Sequence, residues 1–350
     1  MTTGSGSAAP SSTFRSRRIR GAVGAIALVL ASGAGVVAAL PAAAGASTAH
    51  GSSGHASSGH ALTAGVGTRY QFQKLGDPAD PTFNQLLGIN DEGVIAGYFG
   101  SGNPANVHPN KGFTIAPYQH QQFVNENFPG SVQTQVIGIN DSGTTVGFWA
   151  DAAGNNFGFV DRKGHFTNVS YPGAGGSPAV TQLLGINNQG VAVGFYNDAA
   201  GTPHGFEYNL HTGAYARIMV PGAVSSMATG INNKGDISGI ATNASKVTSA
   251  YLRHAGAFRT LTYPGASQTQ AFGLNDLDQV AGQFVDAAGK MHGFIYQAGA
   301  FQALDDPAGI GTTLINGIND AGDLVGFYTD GAGNTDGFVA FPQHFAAPGA

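Results

Sequence analysis

The sequence predicts an all-β chain: a six-bladed β-propeller of four-stranded antiparallel blades, closed by an N-terminal strand (residues 70–75) that completes the last blade. Three observations carry this. The tripeptide Gly-Ile-Asn, once Gly-Leu-Asn, starts at Gly88, Gly138, Gly185, Gly230, Gly273 and Gly317, at spacings of 50, 47, 45, 43 and 44 residues. Each interval holds four short strand candidates, the signature of a propeller blade. The chain starts with an orphan strand and ends one strand short.

Composition narrows the alternatives. There are 55 Gly and 16 Pro in 350 residues, and only 10% of residues are charged. That excludes a long helical bundle, which needs Ala, Glu, Lys and Leu without so much Gly. The 22 Phe and 11 Tyr supply apolar area to bury, against charge-driven disorder. The absence of Cys removes disulfides, thiolate metal sites and cysteine nucleophiles. The net charge of −5 hides an asymmetry. Arg15, Arg17, Arg18 and Arg20 precede the first acid, Asp77, so the body beyond them is more acidic still. An acidic body argues against nucleic-acid binding, which needs a basic face.

In chain order, residues 1–46 read as a signal peptide. Basic residues end at Arg20, an apolar run reaches Leu40, and Ala44-Gly45-Ala46 offers a small-residue cleavage site before Ser47. Ser16-Arg17-Arg18 resembles a twin-arginine start without its usual continuation. The alternative is an uncleaved anchor, since about 20 apolar residues can span a bilayer. Residues 47–66 form a Ser/Gly/His-rich flexible linker in which His50, His55 and His60 read as spacer rather than metal ligands. The propeller is assigned to residues 67–342 and a short tail to 343–350.

The third unit shows the blade best. Thr181–Ile186, Val191–Tyr196, His204–Tyr208 and Ala214–Val220 are the four strands. Asn187-Asn188-Gln189-Gly190 closes the first hairpin, with Gly supplying a positive φ. Pro221-Gly222 crosses to the next unit, as Pro-Gly does at 129, 172 and 264. The last unit stops after its third strand, Gly337–Phe341. The orphan Tyr70-Gln71-Phe72-Gln73-Lys74-Leu75, then Asp77-Pro78, matches Gly299 to Leu304, then Asp306-Pro307. Circular pairing of the two ends removes two open sheet edges, where a solenoid would carry caps.

The block Gly-Ile-Asn-(Asp/Asn)-x-Gly-x-x-x-Gly-(Phe/Tyr), followed by a His-Gly-Phe triplet, resembles the extracellular HAF repeat family of bacterial secreted proteins, named for a His-Ala-Phe triplet. His204-Gly205-Phe206 and His292-Gly293-Phe294 are the nearest matches; Lys111, Phe157, Ser249 and Asp336 replace the His elsewhere. The resemblance covers roughly residues 68–341. It implies an exported repeat protein and brings no catalytic residues with it.

In a four-stranded meander, the loop between strands two and three shares a face with the crossover. That face gathers the candidate ligand-binding residues: Asp151, Asp198, Asp286 and Asp330 in the loops, His204 and His292 just after them, and Tyr171 and Tyr263 before the crossovers. Their recurrence from blade to blade also fits a shared structural job, because Asp and Gly are what tight loops require. The Asn of Gly-Ile-Asn reads as a turn-initiating side chain. Trp149 takes a strand position filled by Tyr196 and Tyr328 elsewhere, which favours packing over carbohydrate stacking. No EF-type or nonapeptide calcium pattern occurs, so no cofactor is expected and calcium is not favoured. Nucleophile-elbow, zincin and phosphate-loop motifs are absent.

The function this predicts is an exported, secreted, non-enzymatic binding or surface-interaction module. It would act as a monomer on an extracellular ligand such as a glycan or cell-surface component, meeting a membrane only through an uncleaved signal segment. The alternative is a secreted propeller hydrolase or lyase acting on a polymer such as a polysaccharide. Its candidates are the repeat-breaking Lys111, His108, Glu126 and Asp336.

Overall fold

The computed structural model describes residues 67–102, 108–116 and 122–343. The expected signal peptide, the His-bearing linker and the tail beyond Gln343 lie outside the described residues. Twenty-four strands run from Arg69 to Gln343 among those described. They form six four-stranded antiparallel sheets. Five sheets are consecutive meanders: residues 84–125, 133–169, 181–217, 223–261 and 268–304. The sixth combines three strands within 313–343 with the first strand of the chain, Arg69–Lys74. The chain is a six-bladed β-propeller.

The expected closing strand is present, at Arg69–Lys74 rather than residues 70–75. Arg69 to Lys74 pair antiparallel with Gln343 to Phe338. The Leu75 amide extends the ladder to the Gly337 carbonyl at 2.9 Å. Phe72 packs on Phe338 with ring centroids 5.1 Å apart. The last sheet thus gains an outer strand and loses its open edge. Blade one packs in turn against blade six, so the ring is continuous.

Inside each blade, the strand-three aromatic is fully buried: Phe113, Phe159, Phe206, Tyr251, Phe294 and Phe338. Each of the five phenylalanines is worth about 1.5–3 kcal/mol of burial. Apolar residues of the neighbouring blade complete each cluster, as Val193 and Ile218 do around Tyr251. The blades therefore share one ring-shaped core.

Strand one carries a β-bulge in all six blades, just before the glycine of Gly-Ile-Asn. A bulge leaves one extra residue unpaired and bends the strand. The extra residues are Leu87, Ile137, Leu184, Thr229, Phe272 and Asn316, and they line the axis. The glycine that follows has no room for a side chain. A Cβ on Gly230 would sit 2.7 Å from the Phe272 carbonyl oxygen of the next blade. Six such glycines let six backbones meet at the centre.

Candidate functional site

The hairpins joining strands one and two gather at one end of the axis. There the side chain of each Gly-Ile-Asn asparagine does two jobs. Its Oδ1 accepts an N–H of its own turn, as Asn187 does from Val191 at 2.9 Å. Its Nδ2 donates to the backbone carbonyl of the same asparagine one blade on. The sequence Asn90 to Asn140, Asn187, Asn232, Asn275, Asn319 and back to Asn90 closes a ring of six bonds of 2.9–3.2 Å. The expected turn role holds, and the ring is an addition to it.

A second ring sits beside the first. The residue after each asparagine offers Oδ1 to the backbone N–H of its counterpart in the preceding blade. The acceptors are Asp141, Asn188, Asn233, Asp276, Asp320 and Asp91, at 2.7–3.0 Å. Four of the six are carboxylates. Desolvation raises the Asp91 pKa above its ordinary value, and the charges of Asp320, Asp141 and Asp276 add to the rise. Asp320 is raised the same way, first by desolvation and then by Asp276 and Asp141. The cavity at this mouth holds only about 60 Å³, and the one at the level of the bulges about 70 Å³. That is room for water, not for a sugar ring. The asparagines were singled out from the sequence only as turn residues and the second ring not at all, although Asp or Asn follows every Gly-Ile-Asn and could have signalled it.

The sequence-predicted candidates lie at the opposite end, on the crossover face. Each loop aspartate shapes its own loop. Asp151 Oδ1 accepts from the Ala153 and Asn155 amides, and Asp198 Oδ1 from Ala200 and Thr202. Asp286 and Asp330 repeat the pattern with Ala288 and Lys290, and with Ala332 and Asn334. These bonds favour the ionised carboxyl and hold all four pKa values below the usual range. The Asn155 side chain leads for Asp151, His204 for Asp198, the Lys290 amide for Asp286 and the Asn334 amide for Asp330.

The candidates come together within blades three and five. In blade three, His204 Nε2 lies 2.9 Å from Asp198 Oδ2, and its Nδ1 lies 2.8 Å from an Arg217 guanidinium nitrogen. Tyr171 stacks flat on Tyr196 at 3.8 Å, and Tyr196 lies 5.4 Å from the His204 ring. In blade five, His292 bridges Asp286 at 3.3 Å and Asp305 at 2.8 Å. Burial acts to lower the His292 pKa, but Asp305 and Asp286 outweigh it and hold it above its ordinary value. Tyr263 stacks on Phe284 at 3.6 Å, and Phe284 lies 5.0 Å from His292. These are two similar clusters on two blades rather than one convergent site. Trp149 is likewise a packing residue: it stacks on Phe128 at 4.5 Å and donates Nε1–H to Asn168.

Each residue of the enzymatic alternative has its own partners. His108 lies 3.5 Å from Asp80, and Asp336 pairs with Lys74 of the closing strand at 2.7 Å. Lys111 begins the third strand of blade one. Glu126 accepts hydrogen bonds from Thr114 of blade one and Thr145 of blade two. Desolvation there raises its pKa above the usual range. Among the described residues, Asp236, His254 and Asp278 form a grouping with metal-ligand geometry, but Lys234 lies 3.4 Å from Asp278.

No protein-family model matches the chain, and no curated protein matches it. Solved structures do. A protein described as TolB from Agrobacterium tumefaciens aligns with a TM-score of 0.53 and 10% identity, over 79% of this chain and 99% of that one. AofleA from Arthrobotrys oligospora aligns with a TM-score of 0.47 and 11% identity, over 82% and 96% of the two chains. The fungal lectin of Aleuria aurantia, described as a six-bladed β-propeller with a novel fucose recognition mode, aligns with a TM-score of 0.43 and 9% identity, over 77% and 100%. At such identities the likeness is one of fold.

Proposed function

We propose that the mature chain is an exported, non-enzymatic propeller of the HAF repeat type, working as a binding or surface-interaction module. The observation that supports this best is the employment of the crossover-face side chains. Each loop aspartate is held by its own loop amides, and each histidine is clamped between two charged neighbours. What results is two rigid Asp–His–aromatic clusters on the rim, one on blade three and one on blade five. Such clusters offer fixed hydrogen-bond partners at the edge of an apolar body, which suits a hydroxyl-rich ligand held without being transformed. A glycan or glycan-bearing cell-surface component is the ligand class. The protein works as a secreted monomer and needs no calcium, because the loop carboxylate oxygens already accept local N–H donors.

The test uses the mature protein in a glycan and cell-wall pull-down beside a broad hydrolase and lyase screen. Retention is expected, weakened by His204→Ala with His292→Ala and unaffected by a chelator. Robust turnover that disappears on changing one rim residue would overturn the reading.

A further inference from the structure

Blade four departs from its neighbours at one corner. In blades two, three and five the residue before Pro-Gly is aromatic and lies flat on the ring near the end of strand two. Phe128 covers Trp149, Tyr171 covers Tyr196 and Tyr263 covers Phe284, with interplanar angles of 4°, 6° and 4°. Blades one and six place a buried aspartate there, Asp77 and Asp306, each capping an amide two residues on. Blade four has Val220 before Pro221 and Ala241 on strand two. The cross-strand partner is small too. Ser249 faces Ala241, where His204 faces Tyr196 and His292 faces Phe284.

Three small residues in one place leave a cavity of about 250 Å³. Val220, Ala241 and Val247 form apolar walls, and Ser249 and Thr260 bring hydroxyls. Tyr251 lines the cavity from the position of Phe206, the ring against which Tyr171 packs at 5.1 Å in blade three. The Tyr251 hydroxyl is buried without a hydrogen-bond partner. Of the seven large apolar side chains exposed among the described residues, Val247 lines the cavity, and Met219 and Val224 adjoin its lining residues Val220 and Ala223 in the chain.

We infer that this cavity binds one neutral aromatic ring of about phenol size, seated where the Tyr171 ring lies in blade three. The fold fills this place with an aromatic ring in three blades, so the space left when that ring is missing has a ring's shape. The volume agrees: an apolar cavity of about 150 Å³ accepts benzene, and sites for drug-sized ligands begin near about 300 Å³. The lining carries no charged side chain, so a neutral ring is preferred over an ionised one. The hydroxyls of Ser249 and Thr260 can meet a ring substituent. The walls are mostly aliphatic, which suits an aromatic face better than a pyranose that requires many hydrogen-bond partners. This site is independent of the glycan reading, and either can fail alone.

The experiment titrates the mature protein with 4-methylphenol, and separately with methyl α-glucopyranoside, by ligand-observed NMR. One saturable site for the phenol and none at this corner for the glucoside is expected. Val220→Tyr with Ala241→Phe rebuilds the missing stack. It should weaken phenol binding at least tenfold and raise Tm. Ala241→Leu fills part of the cavity with less risk to folding and should weaken binding in the same direction. The inference is overturned if the wild type shows no saturable phenol binding. It is also overturned if both filled variants, folded by Tm, bind as the wild type does, or if Ala241→Leu abolishes glucoside binding instead.

Discussion

Asn187 holds two blades with one side chain. Its Oδ1 accepts the Val191 amide and its Nδ2 donates to the Asn232 carbonyl. Asn187→Ala removes both bonds: the part-buried Val191 N–H loses its acceptor, and the Asn232 carbonyl keeps only the Gly235 N–H of its own turn. An unsatisfied buried group costs about 1–3 kcal/mol. A fall in chemical-denaturation midpoint with unchanged slope should record this. Asp320 offers the opposite case. Its folded pKa is raised, so in the window just above the ordinary carboxylate value the native state binds more protons than the unfolded chain. Its contribution to stability therefore falls as pH rises through that window and stays low above it. Asp320→Asn keeps an Oδ1 acceptor, as Asn188 and Asn233 already do in the same ring. The variant should melt higher than the wild type at pH 7, and the gap should close as pH falls below about 4. Calorimetry at both pH values checks it, and a lower Tm at pH 7 would contradict it.

Within a blade, the Pro-Gly crossover is fastened by the ring before it. Tyr171 bonds through its backbone N–H to Thr181 Oγ1 at 3.2 Å and lays its ring on Tyr196. Tyr171→Leu keeps apolar bulk and removes the stack, for which about 0.5–1.5 kcal/mol is expected beyond the loss of area. The same change cannot be made in blade four, where Val220 already stands. The loop aspartates belong to this scale as well. Their carboxylates organise a turn of four residues, a structural job that accounts for the recurrence of the motif in four blades.

The whole ring depends on its first strand. Deleting residues 68–78 strips the outer strand from blade six and exposes the edge of Thr335–Gln343. Each lost ladder bond is worth about 0.5–1.5 kcal/mol net, and the half-buried Tyr70 and Phe72 add their packing. A loss of several kcal/mol should lower Tm by about 10 °C or more. The open edge should also make the truncated protein associate. Calorimetry and light scattering read the two effects. A truncation that stays monomeric with unchanged Tm would show that the outer strand carries little of the ring's stability.

Blade number, strand order and closure were legible in the sequence because they are repetitive and local. Six copies of Gly-Ile-Asn and a matched pair of chain ends are visible without coordinates. Turn chemistry was legible for the same reason: Asn187 to Gly190 and the Asp198 loop need only their own residues. Two things required the tertiary structure. The asparagine and aspartate rings link residues 43–50 positions apart, and 229 positions apart across the closure, so no single unit contains the partner. The blade-four cavity likewise arises because Val220, Ala241 and Ser249, unremarkable one at a time, meet at one corner. A sequence shows which residues repeat; only the closed ring decides which of them touch, and where a missing side chain leaves room.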